Sequence, residues 1–362
     1  MLRGHLSAFL GSKRRSLAIL EVDEAVLPLL LPYIAPRCIV LHNLFRDQLD
    51  RYGEVDSTAR KWLSCLEKNL TKSTVLLVNG DDPNLAHIGY ALKHDRIEYY
   101  GIDDAAASES KPVSVVDAYL SPVSGEPLRY SRYYMSHLGV YTDPASDFKR
   151  PELDLAATDI KQGTFSLSQK DQPPVLTTLP LPGLYNVYNA LAAAHAALVL
   201  GISLSDSAES LAKSRGVFGR YERINVLGHE LVFCLIKNPV GATEVMRTVA
   251  EDVNDYSLAF LANDRFADGQ DVSWYWDSGF ELLAGKKRPL YCGGLRAFDL
   301  AVRLKYAGYT EKPQLNLSVP NVLNQIVASL ATTTYVLCTY TATLEAQAWL
   351  TKHGHKSAYW KE

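Results

Sequence analysis

The chain of 362 residues has an ordinary globular composition, with 47% hydrophobic and 21% charged residues, which is enough apolar material for two cores. Its net charge of −3 excludes a general basic field, so the composition does not indicate nucleic-acid binding. No apolar run approaches the roughly 20 residues that cross a bilayer. The longest candidate, residues 25–35, is interrupted by Pro28 and Pro32, and we expect no transmembrane helix.

The N-terminus and the cysteines favour a cytoplasmic protein. A signal peptide needs an unbroken apolar stretch, which Arg3, His5, Lys13 and Arg14 interrupt here. The five cysteines are odd in number, scattered and mostly set in apolar runs. We therefore expect them to be reduced and buried, as in a cytoplasmic compartment.

The first part of the chain alternates strand-like runs with helical patterns. Strands are predicted over residues 18–22, 38–41 and 73–79, and a helix over residues 62–70. Such alternation is typical of a parallel sheet with helical crossovers.

Charged side chains follow the first two predicted strands. The apolar run 17–20 of the first is followed by Glu21, Asp23 and Glu24, and the second strand is followed by Arg46, Asp47, Asp50, Arg51 and Glu54. Ligands bind at the carboxyl ends of strands in an open α/β sheet, and carboxylates suit Mg²⁺. The pattern thus indicates a site for Mg²⁺ and a phosphate-bearing ligand, with two solvated loops as the alternative.

The later part of the chain predicts an insertion and a second domain. Residues 108–151 are rich in Tyr, Ser, Pro and Gly and read as a small inserted unit. A helix over residues 190–200 is predicted to end at Gly201. From residue 230 a new alternation predicts a Rossmann-like α/β domain without a G-x-G-x-x-G motif. The predicted domains are residues 1–215 and 216–362.

Ordered sequence blocks resemble the MurT branch of the Mur ligase family. LEVDEA (20–25) followed by NLFRDQLDRYGE (43–54) carries the resemblance most strongly. Further blocks follow in the family's order: LPGLYNVYNALAAAHAA (181–197), VFGRYERI (217–224), IKNPVGATEV (236–245), NDRFADGQDVSWYWD (263–277), GGLRAFDLAVRLKYAG (293–308) and TYTA (339–342). The resemblance implies a Mur ligase central domain followed by a MurT-type C-terminal domain.

The resemblance also implies an activity and a partner. MurT is the ligase-like subunit of the lipid II isoglutaminyl synthase, and its partner is the glutamine amidotransferase GatD. The expected reaction is ATP- and Mg²⁺-dependent amidation of the D-glutamate α-carboxylate of lipid II, at the inner face of the membrane. A folylpolyglutamate-synthase-like ligase shares the fold, but residues 266–277 and 303–308 resemble MurT more closely.

The phosphate-binding loop of the family is missing from the sequence. No G-x-x-x-x-G-K-[ST] occurs, and Gly285-Lys286-Lys287 is the nearest similar segment. In the family this loop precedes the LEVDEA strand, so the favoured interpretation is an N-terminally truncated gene or gene model, and the alternative is a degenerate paralogue. As printed, the chain is expected to hydrolyse ATP poorly. A non-catalytic scaffold that binds the amidotransferase is therefore the second functional hypothesis.

Four residues match the family's nucleotide-binding positions. Glu21 matches the acidic metal ligand, and Asn186 and Asn189 match asparagines near adenine, with Tyr185 at the usual histidine. Arg220 matches an arginine at the domain junction, suited to pairing with nucleotide. The alternative for the two asparagines is capping of the helix that follows.

The zinc ribbon of MurT relatives has no cysteines here. The C-x₂-C-x₁₈-C-x₂-C positions read Ser121, Ser124, Asp143 and Ser146, which offer no thiolate. We therefore predict a ribbon without zinc, and we interpret the nearby His137 as structural. Its packing is predicted to rest on Tyr130, Tyr133, Tyr134, Leu138 and Tyr141.

The acidic and aromatic block at 263–277 is expected to serve the partner. In the MurT system, an aspartate of this domain is implicated in completing the amidotransferase triad, because a carboxylate must orient the histidine. Asp271 is the first candidate and Asp277 the second, while Asp264 and Asp268 complete the set. The alternative is that these aspartates cap turns and the next helix. The neighbouring Trp274, Tyr275 and Trp276 are predicted interface anchors.

Lys237 is the remaining catalytic candidate. It lies just after the strand-like run LVFCLI (231–236), where other Mur ligases carry a D-x-x-H-N-P-type motif. Cys234 stands at the Asp of that motif and Lys237 at the His. Lys237 is predicted to hold an anionic substrate or acyl phosphate, with an ion-paired surface lysine as the equal alternative.

Overall fold

Two six-stranded sheets, formed by separate stretches of the chain, make up the computed structural model. The structure describes residues 17–46, 55–112, 116–329 and 331–357, together with Gly4 and Ser7. Asp47, Asp50, Arg51 and Glu54, predicted from the charged strand end, lie outside the described residues. The predicted boundary at 215/216 falls between the last helix of the first unit and the first strand of the second, and it stays a prediction.

The first sheet is parallel on one side and antiparallel on the other. Its strands, in spatial order, are β1 (Cys38–Leu41), β2 (Val75–Asn79), β3 (Ile97–Ile102), β6 (Leu155–Lys161), β7 (Thr164–Gln169) and β8 (Val175–Thr178). The pairs β1–β2, β2–β3 and β3–β6 are parallel, whereas β6, β7 and β8 form an antiparallel meander. The predicted parallel sheet is thus confirmed, with an antiparallel extension that the sequence analysis did not anticipate.

Helices cover both faces of this sheet. They are the short α1 (Leu27–Leu30), α2 (Val55–Asn69), α3 (Pro83–Ala91), α4 (Leu184–Val199) and α5 (Leu204–Leu211). The predicted helix that ends at Gly201 is confirmed, although α4 begins six residues earlier than predicted. Gly201 adopts φ 87° and its N–H donates to the Leu198 carbonyl, which satisfies the end of the helix.

The predicted strand over residues 18–22 is wrong. This segment pairs with no described strand, and the Ile19 side chain is 86% exposed. Asp23 instead begins a turn, in which its carboxylate accepts the Ala25 N–H. Trp62 of α2 then donates its indole N–H to the Glu24 carbonyl. A strand needs a neighbour for its backbone groups, and the apolar run alone does not supply one.

The second sheet contains the Rossmann-like parallel core that was predicted. Its spatial order is β13 (Gln314–Asn316), β12 (Leu290–Gly293), β11 (Ser257–Leu261), β14 (Thr333–Cys338), β10 (His229–Leu235) and β9 (Arg220–Val226). Only β9 is antiparallel to its neighbour. The helices are α6 (Pro239–Ala250), α7 (Ala297–Tyr306), α8 (Val319–Val327) and α9 (Tyr340–Lys352).

Helix α6 joins the two units. Val240 packs in the core of the first sheet, while Met246 packs in the core of the second. Tyr185, at the start of α4, contacts both cores. Arg247 of α6 also pairs with Glu109 of the first unit at 2.9 Å. The first unit is therefore fixed against α6 at both Val240 and Arg247.

Four of the five cysteines are buried, as predicted, and Cys38 is half-buried. Within the described residues no disulfide links them, and burial raises the pKa of the Cys38 thiol to about 11. No helix in the described part of the chain is long and apolar enough to span a membrane.

The insertion folds as a hairpin of β4 (Arg129–Met135) and β5 (Leu138–Thr142). Tyr130 and Tyr133 stack with ring centroids 4.5 Å apart. Three side chains are almost completely buried, namely Tyr134, Leu138 and Tyr141. The hairpin docks on the first sheet through the Tyr141 hydroxyl, which donates to the Gly80 carbonyl. The turn residue His137 is fully buried beside Asp82.

The four residues at the predicted ribbon positions, Ser121, Ser124, Asp143 and Ser146, meet in a network of hydrogen bonds. The buried Asp143 carboxylate accepts from the hydroxyls of Ser121 and Ser146, both at 2.6 Å. Ser121 Oγ accepts the Ser124 N–H at 3.2 Å. Burial opposes ionisation of Asp143, but these hydroxyls outweigh it and hold the pKa of its carboxyl well below the usual range. The network thus links residues 121–124 to residues 143–146.

We expect Asp143→Asn to destabilise the insertion in a pH-dependent way. Because the folded-state pKa of Asp143 is depressed, its ionised form stabilises the fold above the unfolded pKa of about 3.9. The difference in Tm between the wild type and Asp143→Asn should stay constant from about pH 5 to 8 and shrink below about pH 4. Asp147→Asn, which changes an exposed aspartate four residues after Asp143, is the control. Equal pH profiles for both variants would contradict a structural carboxylate.

We also expect the quadruple variant Ser121→Cys, Ser124→Cys, Asp143→Cys, Ser146→Cys to bind about one Zn²⁺ per chain, because closed structural zinc sites take four thiolates. Metal content after dialysis, measured by mass spectrometry, tests this. The matched control keeps Asp143 and replaces only the three serines. Equal, substoichiometric zinc in both proteins would show that the four positions do not converge as described.

Candidate functional site

A cleft between the two units collects the predicted catalytic residues. It is lined by Arg46, Lys237, Asn238, Pro239, Asp268, Gly269, Asp271, Ser273, Trp274 and Asp277. Arg46 comes from the loop after β1, and the others come from loops of the second sheet. Carboxyl ends of parallel strands from both sheets therefore open onto one space, as expected of open α/β sheets.

Lys237 lies at the carboxyl end of a central strand. It follows β10 and precedes Asn238, which caps α6 by accepting the Gly241 N–H at 2.7 Å. Pro239 takes the first helical position, where its missing N–H has no cost. The exposed Lys237 side chain thus stands at the start of a helix of 12 residues, whose positive dipole end favours anions.

Asp264 and Asp268 of the acidic loop have structural roles. Asp268 is buried and accepts both the N–H and the hydroxyl of Thr341, which fixes the loop to the start of α9. Asp264 pairs with Arg296 at 2.6 Å. The buried Asn263 donates to the Thr341 hydroxyl and accepts the Leu295 N–H, so that loops after β11, β12 and β14 are held together.

Asp271 and Asp277 differ in their surroundings. Asp271 is exposed and accepts the Ser273 N–H at 2.8 Å, which begins a 3₁₀ turn over Ser273–Tyr275. Hydrogen bonds from Ser273 lower the pKa of the Asp271 carboxyl. Asp277 instead faces Arg46, with its carboxylate 3.7 Å from a guanidinium nitrogen. The alternative of turn capping thus describes part of what Asp268 and Asp271 do.

Arg46 is held rigidly by a residue that the sequence analysis missed. Both carboxylate oxygens of Asp117 accept from Arg46, one from the backbone N–H at 3.0 Å and one from Nε at 2.5 Å. The Asp117 side chain is 1% exposed. Arg46 was noted as part of a charged strand end, but its partner lies 71 residues away, and no local pattern could connect the two.

The two asparagines of the family motif lie within α4 rather than at its cap. Asn186 donates to the Pro182 carbonyl at 2.7 Å and accepts from Asn189 at 3.1 Å. Asn189 Oδ1 lies 2.7 Å from His42, whose other ring nitrogen lies 2.8 Å from the Tyr100 hydroxyl. Burial lowers the pKa of His42, so a neutral ring is expected to donate to Asn189. His42, which follows β1, was also missed.

Arg220 lies near the start of α4, whereas Glu21 is far from both in the sequence. Arg220 is the exposed first residue of β9, and its charge acts on Tyr185 at the start of α4. Glu21 is exposed in the segment before α1, which forms no strand. Within the described ranges, no three His, Cys, Asp or Glu side chains cluster closely enough to hold a metal by themselves.

The predicted interface aromatics do not share one environment. Tyr275 is buried, so its predicted role as an exposed anchor is wrong: Arg303 of α7 donates to its carbonyl and fixes the turn beneath the core. Trp276 is 54% exposed and contacts the Tyr306 ring edge to face at 5.5 Å. Phe298, Val302 and Tyr306 expose apolar side chains at a spacing of four residues along α7. Together with Trp276 they form an exposed apolar surface beside the acidic loop.

Most of the chain is similar in sequence to known proteins of one family. The family described as MurT ligase C-terminal matches residues 235–343. The chain is 35% identical to the lipid II isoglutaminyl synthase (glutamine-hydrolyzing) subunit MurT of Streptococcus pneumoniae, over 95% of this chain and 77% of that protein.

Solved structures show the same mixed α/β fold. A pseudomurein peptide ligase type C from Methanothermus fervidus aligns with a TM-score of 0.63 and 20% identity, covering 92% of this chain and 72% of that one. The MurF ligase from Thermotoga maritima in complex with ADP aligns with a TM-score of 0.58 and 11% identity, covering 90% and 64%. The identity to the pneumococcal subunit over nearly the whole chain shows that this protein belongs to the MurT family of Mur ligases.

Proposed function

We propose that this chain is the ligase subunit of a complex that amidates the α-carboxylate of D-glutamate in lipid II, at the cytoplasmic face of the membrane. The observation that carries the proposal is the cleft that brings Lys237, Asp271 and Asp277 together with Arg46. It joins two cationic side chains, suited to anionic oxygens, to carboxylates that lie near an exposed apolar surface.

The proposed chemistry has two steps. A substrate carboxylate oxygen attacks the γ-phosphorus of ATP, and ADP leaves with the bridging oxygen. Ammonia, released from glutamine in the partner, then attacks the acyl carbon, loses a proton and expels inorganic phosphate. Lys237 would neutralise charge on the acyl phosphate from its place at the start of α6. A closed cleft would keep ammonia unprotonated and water away from the acyl phosphate.

For the nucleotide, we propose Asn186, Asn189 and Arg220 as contacts and Glu21 as the protein ligand of Mg²⁺. The amide groups of Asn186 and Asn189 already hydrogen-bond each other and His42, which fixes their orientation. Arg220 stands next to the same end of α4 and can pair with phosphate. Mg²⁺ needs only one or two carboxylates beside phosphate oxygens, and it would then neutralise the charge on those phosphates.

We propose a GatD-like glutamine amidotransferase as the partner, docked on the apolar surface formed by Trp276, Phe298, Val302 and Tyr306. Asp271 is the better candidate for its triad, because its carboxylate is exposed in the acidic loop, whereas the Asp277 carboxylate faces Arg46. The exposed aromatic rings are typical of interface anchors.

The second candidate function is a scaffold that binds the amidotransferase without using ATP. The observation that favours it is the absence of G-x-x-x-x-G-K-[ST] from the printed sequence. Nucleotide binding separates the two candidates directly.

We expect saturable ATP binding in the presence of Mg²⁺ when the chain is co-expressed with its candidate amidotransferase, measured by calorimetry. Arg220→Ala should weaken it roughly 10-fold, the loss expected for one charged hydrogen bond. Arg223→Ala is the matched control, since Arg223 pairs with Glu230 across the β9–β10 hairpin. A stable complex without measurable ATP binding would favour the scaffold.

We expect Asp271→Asn to lower glutamine-dependent amidation roughly 100-fold or more, because the triad histidine would lose its orienting carboxylate. Activity with ammonium chloride as the nitrogen source should change little, since the partner's triad is then bypassed. Asp255→Asn, on an exposed loop aspartate before β11, is the control. An equal loss with both nitrogen sources would contradict this role, and the selective loss appearing only in Asp277→Asn would transfer it to Asp277.

A further inference from the structure

We propose that Arg46 binds, in the cleft, the anionic oxygens of the carboxylate substrate that accepts the phosphoryl group, and that Asp117 of the insertion is the positioning residue that aims its guanidinium. The ligand chemistry is a carboxylate or the phosphoryl group transferred to it. The inference rests on the proposed function, since it names a recognition residue for the same reaction.

The backbone around Arg46 is fixed from two sides. Asn79 donates its side-chain amide to the His42 carbonyl at 2.9 Å, and Asp82 accepts the Leu44 N–H at 2.9 Å. Phe45 packs against the His137 ring, with centroids 4.9 Å apart. The loop after β1 is therefore set by the turn after β2 and by the hairpin insertion together.

The Arg46 side chain is fixed by its own contacts with Asp117. The carboxylate uses one oxygen for the backbone N–H and the other for Nε, so neither the main chain nor the inner edge of the guanidinium can turn independently. Asp117 is 1% exposed, and a buried carboxylate without its cation would be strongly unfavourable. Asp117 thus determines where Arg46 points.

The outer edge of the guanidinium faces the cleft. Arg46 remains 28% exposed and lines the cleft opposite Lys237 and Asp277. The Asp277 carboxylate lies 3.7 Å from Nη1, which is beyond hydrogen-bonding distance. An incoming carboxylate or phosphoryl oxygen can therefore engage this edge while Nε stays with Asp117. A planar fork suits this two-sided use better than a lysine does.

These contacts give the insertion a role in positioning Arg46. Asp117 lies in the segment of the insertion that precedes β4, and the insertion also supplies His137, which packs on Phe45. Both contacts reach the loop that carries Arg46. The hydrogen-bond network of Asp143 with Ser121 and Ser146 keeps the insertion folded. The insertion in turn keeps Arg46 directed into the cleft.

The test compares Arg46→Gln, Arg46→Lys and Asp117→Asn in the complex with the amidotransferase. Steady-state kinetics should show kcat/KM for the carboxylate substrate lowered roughly 10- to 100-fold in Arg46→Gln, as for loss of a charged hydrogen bond. A rise in KM for the carboxylate substrate alone would identify the carboxylate as the ligand. A fall in kcat with both KM values unchanged would identify the phosphoryl group. Arg132→Gln, on the same insertion but paired with Asp103, is the matched control and should retain wild-type rates.

A double-mutant cycle separates positioning from folding. Asp117→Asn should shift the same kinetic constant as Arg46→Gln, and the double variant should be no worse than Arg46→Gln alone. The double variant also removes the carboxylate left unpaired in Arg46→Gln, so its Tm should recover. Partial rescue of Arg46→Gln by added guanidinium chloride at low concentration is the readout that a structural role would not produce.

Two kinetic results would overturn the inference. Wild-type kinetics in Arg46→Gln would show that Arg46 binds no substrate, and fully additive losses in the double variant would show that Asp117 does not act through it. If the wild-type complex shows no amidation, the proposed function fails while the inference stays testable. Calorimetry with ATP, and with the carboxylate substrate without its lipid, then replaces kinetics. Equal affinities of the wild type and Arg46→Gln for both ligands would then overturn the inference.

Discussion

The buried acidic pair that follows β2 organises the first unit. Asp81 and Asp82 are both fully buried, and an uncompensated carboxylate there would be very unfavourable. Asp81 accepts from Arg150, from the Tyr188 hydroxyl and from the Ile102 N–H. Gly101 is required beside it, because a Cβ at that position would lie 2.5 Å from the Asp81 carboxylate. These contacts tie the insertion, α4 and β3 to one turn.

Asp82 extends the same constraint toward the cleft. Its carboxylate accepts from Leu44 in the loop after β1 and from Asn84 and Leu85 at the start of α3. A change at this turn would therefore reach the insertion and the Arg46 loop together. On the side of the first unit, Arg46 borders the cleft. Residues 42–46 are held in a fixed position because they are anchored to a buried turn, not to solvent-exposed contacts.

The architecture could be anticipated wherever a local pattern determines the structure. Apolar runs identified β1, β2 and β10, and the small-residue helix before Gly201 was recognisable from its period. The segment at 18–22 failed because an apolar run does not specify a partner strand. The meander from β6 to β8 was missed for a related reason, since its strands carry many polar residues, as in Leu155–Lys161, and depend on each other for pairing.

The same limit separates the parts of the candidate site. Lys237, Asp271 and Asp277 could be named because each lies near a strand end or in a motif block, and the topology brings such ends together. Arg46 could be noted, but its orientation depends on Asp117, which is distant in sequence. The asparagines were recognised by resemblance, whereas their link to His42 required the packing of α4 on β1. Local sequence thus indicates which side chains border the cleft, and tertiary contacts determine how they point.

The hydrogen bonds inside the insertion are separate from the contacts that attach it to the rest of the protein. Inside the insertion, the Asp143 carboxylate bridges Ser121 and Ser146. The surfaces that meet the rest of the protein are different ones, namely the Tyr141 hydroxyl on Gly80 and the Asp117 carboxylate on Arg46. Because the two sets of contacts do not share atoms, a change in the inner network that leaves the insertion folded should leave the outer contacts in place. In the proposed site, Arg46 depends on the outer contacts for its direction.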